Sequence, residues 1–178
     1  MHRTETPVLI RPDEKYLQQI ADYRLEFFKY NSSMDGTGSL RRTEDPREWL
    51  AITRQMENPE TVPEDRVQAT QFLYVRDTDN RLLGMIQIRP RMNEYLSQCG
   101  GNIGYSIRPS ERQKGYAKQM LADALPYCRE IGLSMVLITC RDDNEPSRHT
   151  ILANGGIYEN TVYDSRDNEY LERYWITL

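Results

Sequence analysis

The spacing of apolar residues predicts that the chain begins with a strand followed by a helix. Val8–Arg11 is a short apolar run that stops before Pro12, and Asp13 stands where a helix N-cap is expected. The helix should then extend to about Tyr30. Its apolar positions fall on one face: Leu17, Ile20, Ala21 and Phe28, widened by Tyr16, Tyr23 and Phe27. This face is predicted to pack on the core.

Two polar stretches surround a second predicted helix. Asn31–Leu40 contains Ser, Asp and two Gly residues and predicts a mobile loop. Pro46 opens the helix, in which apolar residues from Trp49 to Met56 recur at helical spacing. Glu57–Thr70 carries two prolines and has no period, so it is predicted to be a connection.

The second half of the chain changes to strand patterns interrupted by two helices. Predicted strands are Phe72–Arg76 and Leu82–Arg89, which form a hairpin, then Asn102–Arg108, Met135–Thr139, Ile157–Tyr163 and Tyr170–Thr177. Predicted helices run from about Tyr116 to Ile131, closed by Gly132, and from Pro146 to Asn154. Met135–Thr139 is continuously apolar, as expected of a strand buried on both faces.

These elements follow the order βααβββαβαββ. That order predicts an α/β (α+β) fold with a mixed sheet, and both strand-to-helix crossovers lie in the second half. With 178 residues, one domain spanning 1–178 is expected.

Composition narrows the function classes. Hydrophobic residues make up 38% and charged residues 28%, and no apolar run approaches the ~20 residues of a membrane helix, so we expect no membrane span. The net charge of -4 argues against bulk nucleic-acid binding. Met1–Arg11 lacks the apolar segment of a secretory signal, which predicts a cytoplasmic protein.

The cysteines indicate reduced thiols rather than bridges or metal ligands. Cys99, Cys128 and Cys140 are odd in number and none is part of a Cys-x-x-Cys or Cys/His cluster. A reducing compartment and the absence of a metal site are therefore expected.

One turn is basic although the chain as a whole has a negative net charge. Between Asn102 and Leu121, four basic residues face one acidic residue, a local charge of +3. The turn joins the predicted strand to the helix at Tyr116, and the first turn of a helix offers N–H groups and a positive dipole end to anions. Gly115 permits close backbone approach, so the turn can hold a diphosphate. It matches neither the Gly-Lys-Ser/Thr phosphate loop nor the Gly-x-Gly-x-x-Gly fingerprint.

The same segment resembles the acetyl-CoA-binding motif of the GNAT N-acetyltransferase superfamily. The resemblance is carried by Asn102–Pro109 followed by Arg112-x-x-Gly115-x-Ala117, and it continues through Leu137–Cys140, Asp143-Asn144-x-x-Ser147 and Asn154-Gly155-Gly156. It implies a mostly antiparallel sheet flanked by helices. It also implies acetyl-CoA as acyl donor and a small-molecule or peptide amine as acceptor, without a metal.

The resemblance further implies how the donor is held. The strand ending at Ile107 would splay from Met135–Cys140, and the pantetheine arm would lie in the gap as an extra strand. The implied donor-binding residues are Tyr105, Ile107, Arg108, Arg112, Gln113, Lys114, Gly115, Tyr116, Ala117, Asn144 and Ser147.

The usual proton carriers of the superfamily are absent. Gly101 stands where many members carry a glutamate base, and Ile151 stands where many carry a tyrosine acid. Glu94, Tyr105 and Tyr158 are the catalytic candidates, and the sequence does not choose among them. A non-catalytic acetyl-CoA-binding or sensing module is therefore the alternative to an enzyme, and an interaction protein using the aromatic helix Tyr16–Tyr30 is a third reading.

The acceptor and the oligomeric state are open at this point. Asp35, Glu44 and Asp45 could attract a cationic amine to the loop side of the fold, although a solvated loop is the more common explanation for such residues. The last strand pair, with Tyr170 and Trp175 among its aromatics, could supply a homodimer interface.

Overall fold

The computed structural model describes residues 6–178, so residues 1–5 of the Met1–Arg11 stretch lie outside it. The strands are β1 (Pro7–Ile10), β2 (Thr70–Arg76), β3 (Arg81–Ile88), β4 (Ile103–Ile107), β5 (Met135–Arg141), β6 (Ile157–Asp164) and β7 (Glu169–Thr177). The helices are α1 (Leu17–Lys29), α2 (Pro46–Glu57), α3 (Tyr116–Glu130) and α4 (Glu145–Ala153). The predicted order of elements and the α+β class are confirmed.

Short helical turns complete the chain. Single turns of 3-10 helix occupy Glu14–Tyr16 and Pro109–Glu111. A π-helical turn, Leu96–Gly100, lies in the segment before β4. None of the helices within residues 6–178 is long and apolar enough to span a bilayer.

The strands form two antiparallel sheets rather than one continuous mixed sheet. The first has the order β1-β2-β3-β4 and the second β5-β7-β6. The division falls between β4 and β5, the two strands that were expected to splay.

Each face of the first sheet carries its own hydrophobic core, because neighbouring strand residues point to opposite faces. In β2, Leu73 and Val75 join the core under α1 and α2, while Phe72 and Tyr74 join the core under α3 and α4. The strand is therefore buried on both sides.

The buried face of α1 is narrower than its pattern predicts. Ile20, Tyr23 and Phe27 are fully buried, whereas Phe28 is 42% exposed. The core-facing stripe follows the spacing 16, 20, 23 and 27, so Phe28 lies one position past it and faces solvent.

The prediction that Asn31–Leu40 is mobile is wrong. Met34 and Leu40 are buried, and two distant side chains hold the loop backbone. Gln71 donates from Nε2 to the carbonyl of Gly36 at 2.7 Å, and Trp49 donates from its indole N–H to the carbonyl of Thr37 at 2.8 Å. The loop is packed against the first sheet.

Candidate active site

The two sheets are joined at one corner, at the start of β4. The backbone N–H of Asn102 donates to the carbonyl of Leu137, and its side-chain Oδ1 accepts from the N–H of Leu137, both at 2.8 Å. Beyond this residue β4 and β5 share no ladder among the described residues. A split therefore opens between them toward the carboxyl end of β4.

One edge of the split offers free backbone groups. The N–H of Arg108 donates to Leu83 on β3 at 2.8 Å. Because bonding direction alternates along a strand, the N–H and C=O groups of Tyr105 and Ile107 point away from β3, toward the split. The carbonyl of Ile107 already accepts from Nε–H of Arg112 at 3.0 Å, so the groups left for a ligand are the N–H and C=O of Tyr105 and the N–H of Ile107. An extended ligand can pair with such an edge.

The basic turn lies at the end of β4 and leads into α3. Gln113 and Gly115 both have positive φ, at 63° and 81°. Among the described residues, none accepts a hydrogen bond from the backbone N–H of Gln113, Lys114 or Gly115, and the N–H groups of Tyr116 and Ala117 belong to the first turn of α3. A Cβ placed on Gly115 would meet no atom within 4 Å. The turn is an open cradle of N–H donors that fits an anion such as a diphosphate.

The charged side chains of the turn are less available than their sequence positions indicated. Arg108 is buried and forms an ion pair with Glu26 at 2.7 Å, and Lys114 is paired with Glu111 at 2.8 Å. Arg112 donates to two neutral oxygens, the carbonyl of Ile107 and Oγ of Ser32, and it forms no ion pair with any residue in 6–178. The local positive charge left for an anion thus comes from Arg112 and from Lys118, which is exposed in the first turn of α3.

Glu111 anchors the turn from inside the protein. Its buried carboxylate accepts hydrogen bonds from Arg81 and Lys114 and lies 3.7 Å from a nitrogen of Arg76. Burial alone would raise the pKa of Glu111, but the bonds from Lys114 and Arg81 more than offset it and hold the pKa below its usual value. The carboxylate therefore stays ionised and fixes the turn to the β2–β3 hairpin.

Tyr105 crosses from β4 to the start of α4. Its hydroxyl lies 2.8 Å from Oγ of Ser147, and Asn144, the N-cap of α4, accepts from the N–H of Ser147 at 3.2 Å. Burial raises the pKa of Tyr105, so the phenol is neutral at physiological pH. These three predicted residues are brought together in the structure.

A second cluster of polar side chains, centred on Glu172, was not predicted from the sequence. Glu172 on β7 accepts from Arg148 at 2.8 Å and from the Tyr174 hydroxyl at 2.7 Å, and the thiol of Cys140 lies 4.0 Å away. Burial raises the pKa of Cys140 to about 11. The sequence did contain one indication of this cluster: Glu172 and Tyr174 are two residues apart on the last strand and therefore lie on the same face.

The other two catalytic candidates lie apart from Tyr105. Glu94 is exposed beside Tyr95 and Arg166 in an open groove. Tyr158 is 52% exposed on β6, and its hydroxyl is bonded to Thr161 at 2.8 Å. No contact between described residues links either of them to Tyr105.

The structure gives physical reasons for the two departures from the superfamily pattern. Gly101 has a φ of 69°, and a Cβ there would overlap the carbonyl oxygen of Leu137. A glutamate side chain cannot be accommodated in this backbone. Ile151 is fully buried in the core and packs against Gly156, so its position serves packing.

Comparison with known structures shows the same fold at low identity. The ribosomal-protein-S5-alanine acetyltransferase from Vibrio fischeri aligns with a TM-score of 0.74 at 13% identity, covering 99% of this chain and 95% of that one. RimJ from Mycobacterium smegmatis, solved with CoA-disulfide, aligns at 0.69 and 18%, covering 95% and 80%. The spermidine/spermine N-acetyltransferase SpeG from Vibrio cholerae aligns at 0.63 and 14%, covering 97% and 95%.

Comparison of the sequence with protein-family models identifies the family of the chain. No curated protein sequence matches the chain. The model of the acetyltransferase (GNAT) family matches residues 38–155, about two thirds of the chain, including the split, the N–H cradle and α4. The chain therefore belongs to the GNAT family of acetyltransferases and is an acyltransferase.

Proposed function

We propose that the protein is an N-acetyltransferase that moves the acetyl group of acetyl-CoA to a primary amine by direct attack. The observation that carries the proposal is the cradle of unpartnered N–H groups over Gln113–Ala117 at the open end of the β4–β5 split. This cradle would hold the diphosphate of CoA, and the strand edge beside it would hold the pantetheine arm.

Different groups of the chain bind different parts of acetyl-CoA. The N–H groups of Gln113–Ala117, with the charge of Arg112, hold the diphosphate. The backbone groups of Tyr105 and the N–H of Ile107 pair with the pantetheine arm, and Ser147 lines the same cleft at the start of α4. Arg108 and Lys114 support the turn through their carboxylate partners instead of reaching the ligand.

The acceptor is proposed only as a class. The similar structures are named for a ribosomal protein alanine and for spermidine or spermine, and both acceptors carry an amine. A small-molecule or peptide amine is the shared chemistry. The three free cysteines fit a reducing, cytoplasmic setting.

Binding is tested by titration calorimetry with acetyl-CoA on Gly115→Glu. The new carboxylate would enter the anion site, so affinity should fall by at least tenfold. Gly132→Glu is the matched control: Gly132 also has positive φ and no atom within 4 Å of a Cβ, but it lies at the opposite end of α3. Equal affinity of the two variants would remove the turn from the donor site.

Turnover is tested by acetyl-CoA-dependent thiol release with spermidine and with peptides that begin with alanine or serine. Release that depends on the amine supports the enzyme. Tight acetyl-CoA binding with no release for any amine would instead favour the binding or sensing module.

A further inference from the structure

Arg89, directly after β3, carries a charge that no carboxylate in the described part of the chain balances by an ion pair. Its guanidinium donates only to uncharged oxygens. Nη1 donates to the carbonyls of Gly100 and Gly101 at 3.4 and 3.1 Å, and Nη2 donates to Oε1 of Gln87 at 3.1 Å. A charged side chain that is largely removed from water is ordinarily paired with an opposite charge. The counter-ion of Arg89 is therefore missing from residues 6–178.

The guanidinium has donors left for a ligand. Nε–H and one N–H of Nη2 have no acceptor among the described residues. In that part of the chain, Nε of Arg173 is the one buried side-chain nitrogen or oxygen without a partner, so Nε of Arg89 keeps contact with solvent. Nε and Nη2 are neighbouring nitrogens of one planar group and can bond both oxygens of a carboxylate.

Arg89 lies next to the split, on the face of the first sheet that is opposite α3. Met85 joins the core under α1 and α2, and Gln87 and Arg89 follow it at two-residue spacing on the same face. The buried residues of α3 join the other core. Nη2 lies 3.4 Å from the position of a Cβ on Gly104, directly before Tyr105, whose backbone would pair with the pantetheine arm. An amine that enters over Arg89 therefore reaches the donor without crossing α3.

The charges around Arg89 fit a carboxylate better than a phosphate group. Burial lowers the pKa of Arg89 and Asp35 raises it, although these two side chains form no ion pair. Asp35 is exposed, and its carboxylate accepts from Oγ of Ser33 at 2.9 Å. One guanidinium balances the single charge of a carboxylate. A phosphate monoester carries nearly two negative charges at neutral pH, and its excess charge would face Asp35.

We propose that Arg89 binds a carboxylate of the acceptor, so that the acceptor is an amine that also carries a carboxylate, as a free amino acid does. This inference rests on the proposed function and narrows its acceptor class. The carboxylate supplies the missing counter-ion and leaves the amine free to face the thioester. Polyamines have no carboxylate, and the first residue of a peptide has its carboxyl group in an amide bond. Both should be poorer acceptors.

The wild-type protein tests the proposal with matched acceptors. Thiol release from acetyl-CoA is measured with each standard amino acid and with its carboxamide. Amidation removes the negative charge and also leaves more of the amine neutral at a given pH, so a slower carboxamide is not explained by a shortage of neutral amine. The best amino acid should exceed its carboxamide in kcat/KM by about 10- to 100-fold, the effect of a charge-assisted hydrogen bond. If no amino acid exceeds its carboxamide, the proposal fails while the acetyltransferase stands.

Arg89→Gln tests whether this residue makes the distinction. The variant should lose the preference for the amino acid, mainly through a higher KM, while kcat/KM for the carboxamide and the Kd of acetyl-CoA change little. A purely structural role for the bonds to Gly100 and Gly101 would instead impair both acceptors alike. Arg91→Gln is the matched control, because Arg91 is exposed and forms no ion pair with any described residue. It should keep the preference.

Arg89→Lys keeps the charge but has only one nitrogen, so it should retain part of the preference. It also provides the test if Arg89→Gln does not fold. An unchanged preference in the folded variants of Arg89 would overturn the assignment, as would acetylation of spermidine or peptides with no turnover of any amino acid. Absence of thiol release from the wild-type protein with every amine would overturn the proposed function itself, and this inference with it.

Discussion

The ion pair between Arg108 and Glu26 should be worth more to stability than any surface pair in the protein. It connects the end of β4 to α1 at 2.7 Å, and its side chains are only 7% and 16% exposed. Glu26 also accepts from the N–H of Ser110 at 2.7 Å. Glu26→Gln removes the negative charge but keeps the size and shape of the side chain, so it isolates the loss of charge compensation for Arg108.

The magnitude follows from burial. Removing one partner of a fully buried pair costs about 3–5 kcal/mol, because the other charge is left uncompensated. Glu26 retains some solvent contact, which screens the interaction, so we expect a loss of about 2 kcal/mol in the free energy of unfolding. Glu14→Gln is the matched control. Glu14 pairs with Arg54 at 2.9 Å, but both side chains are more than half exposed, and no measurable loss is expected.

The assay is urea unfolding followed by far-ultraviolet circular dichroism as a function of pH. Burial alone would raise the pKa of Glu26, but hydrogen bonds from Arg108 and Ser110 hold it below its usual value. The folded state then binds fewer protons than the unfolded state near the ordinary pKa of about 4.3. The contribution of Glu26 is therefore complete above that pH and is lost as pH falls through the folded-state pKa. The gap between wild type and Glu26→Gln should narrow over this window, and an equal stability of the two proteins at neutral pH would refute the reasoning.

Two further predictions concern the corner of the split and the charge of the N–H cradle. Gly101→Ala should lose at least about 2 kcal/mol of stability, because the Cβ would overlap Leu137 in addition to the positive φ, whereas Gly132→Ala meets only the backbone strain of about 1 kcal/mol. Thermal unfolding of both variants measures the difference, and equal losses would contradict the clash. Lys118→Gln should weaken acetyl-CoA binding about threefold at low salt, while Lys114→Gln, which removes an already paired ammonium, should change affinity less. Calorimetry at two salt concentrations decides this, and the reverse order would show that Lys114 leaves its partner for the ligand.

The order of elements could be predicted because periodicity is local. Apolar spacing in α1 and α2, the hairpin of β2 and β3 and the glycine after α3 are all properties of neighbouring residues. The conformation of the basic turn could be predicted for the same reason: a strand end, a left-handed Gly115 and a helix start lie within one short segment.

The partners of the charged residues could not be predicted because they are far apart in sequence. Arg108 meets Glu26, which is 82 residues away, and the loop after α1 is fixed by Gln71 and Trp49 from two other elements. The sequence does not distinguish a basic residue that faces a bound anion from one that is paired with a carboxylate of the protein. The packed state of the loop was missed for the same reason, since polarity alone does not show which backbone groups have acceptors or donors elsewhere.

Asn102 is hydrogen-bonded to both sheets. Besides its two bonds to Leu137, its side-chain amide donates to the carbonyl of Arg89 at 3.0 Å, so one residue connects the end of β3, the start of β4 and the first half of β5. The split is therefore fixed at its start by Asn102. At its other end α4 is tied to the first turn of α3, because the side-chain amide of Asn154 donates to the carbonyl of Lys118 at 3.2 Å, so the two sides of the split are braced at both ends.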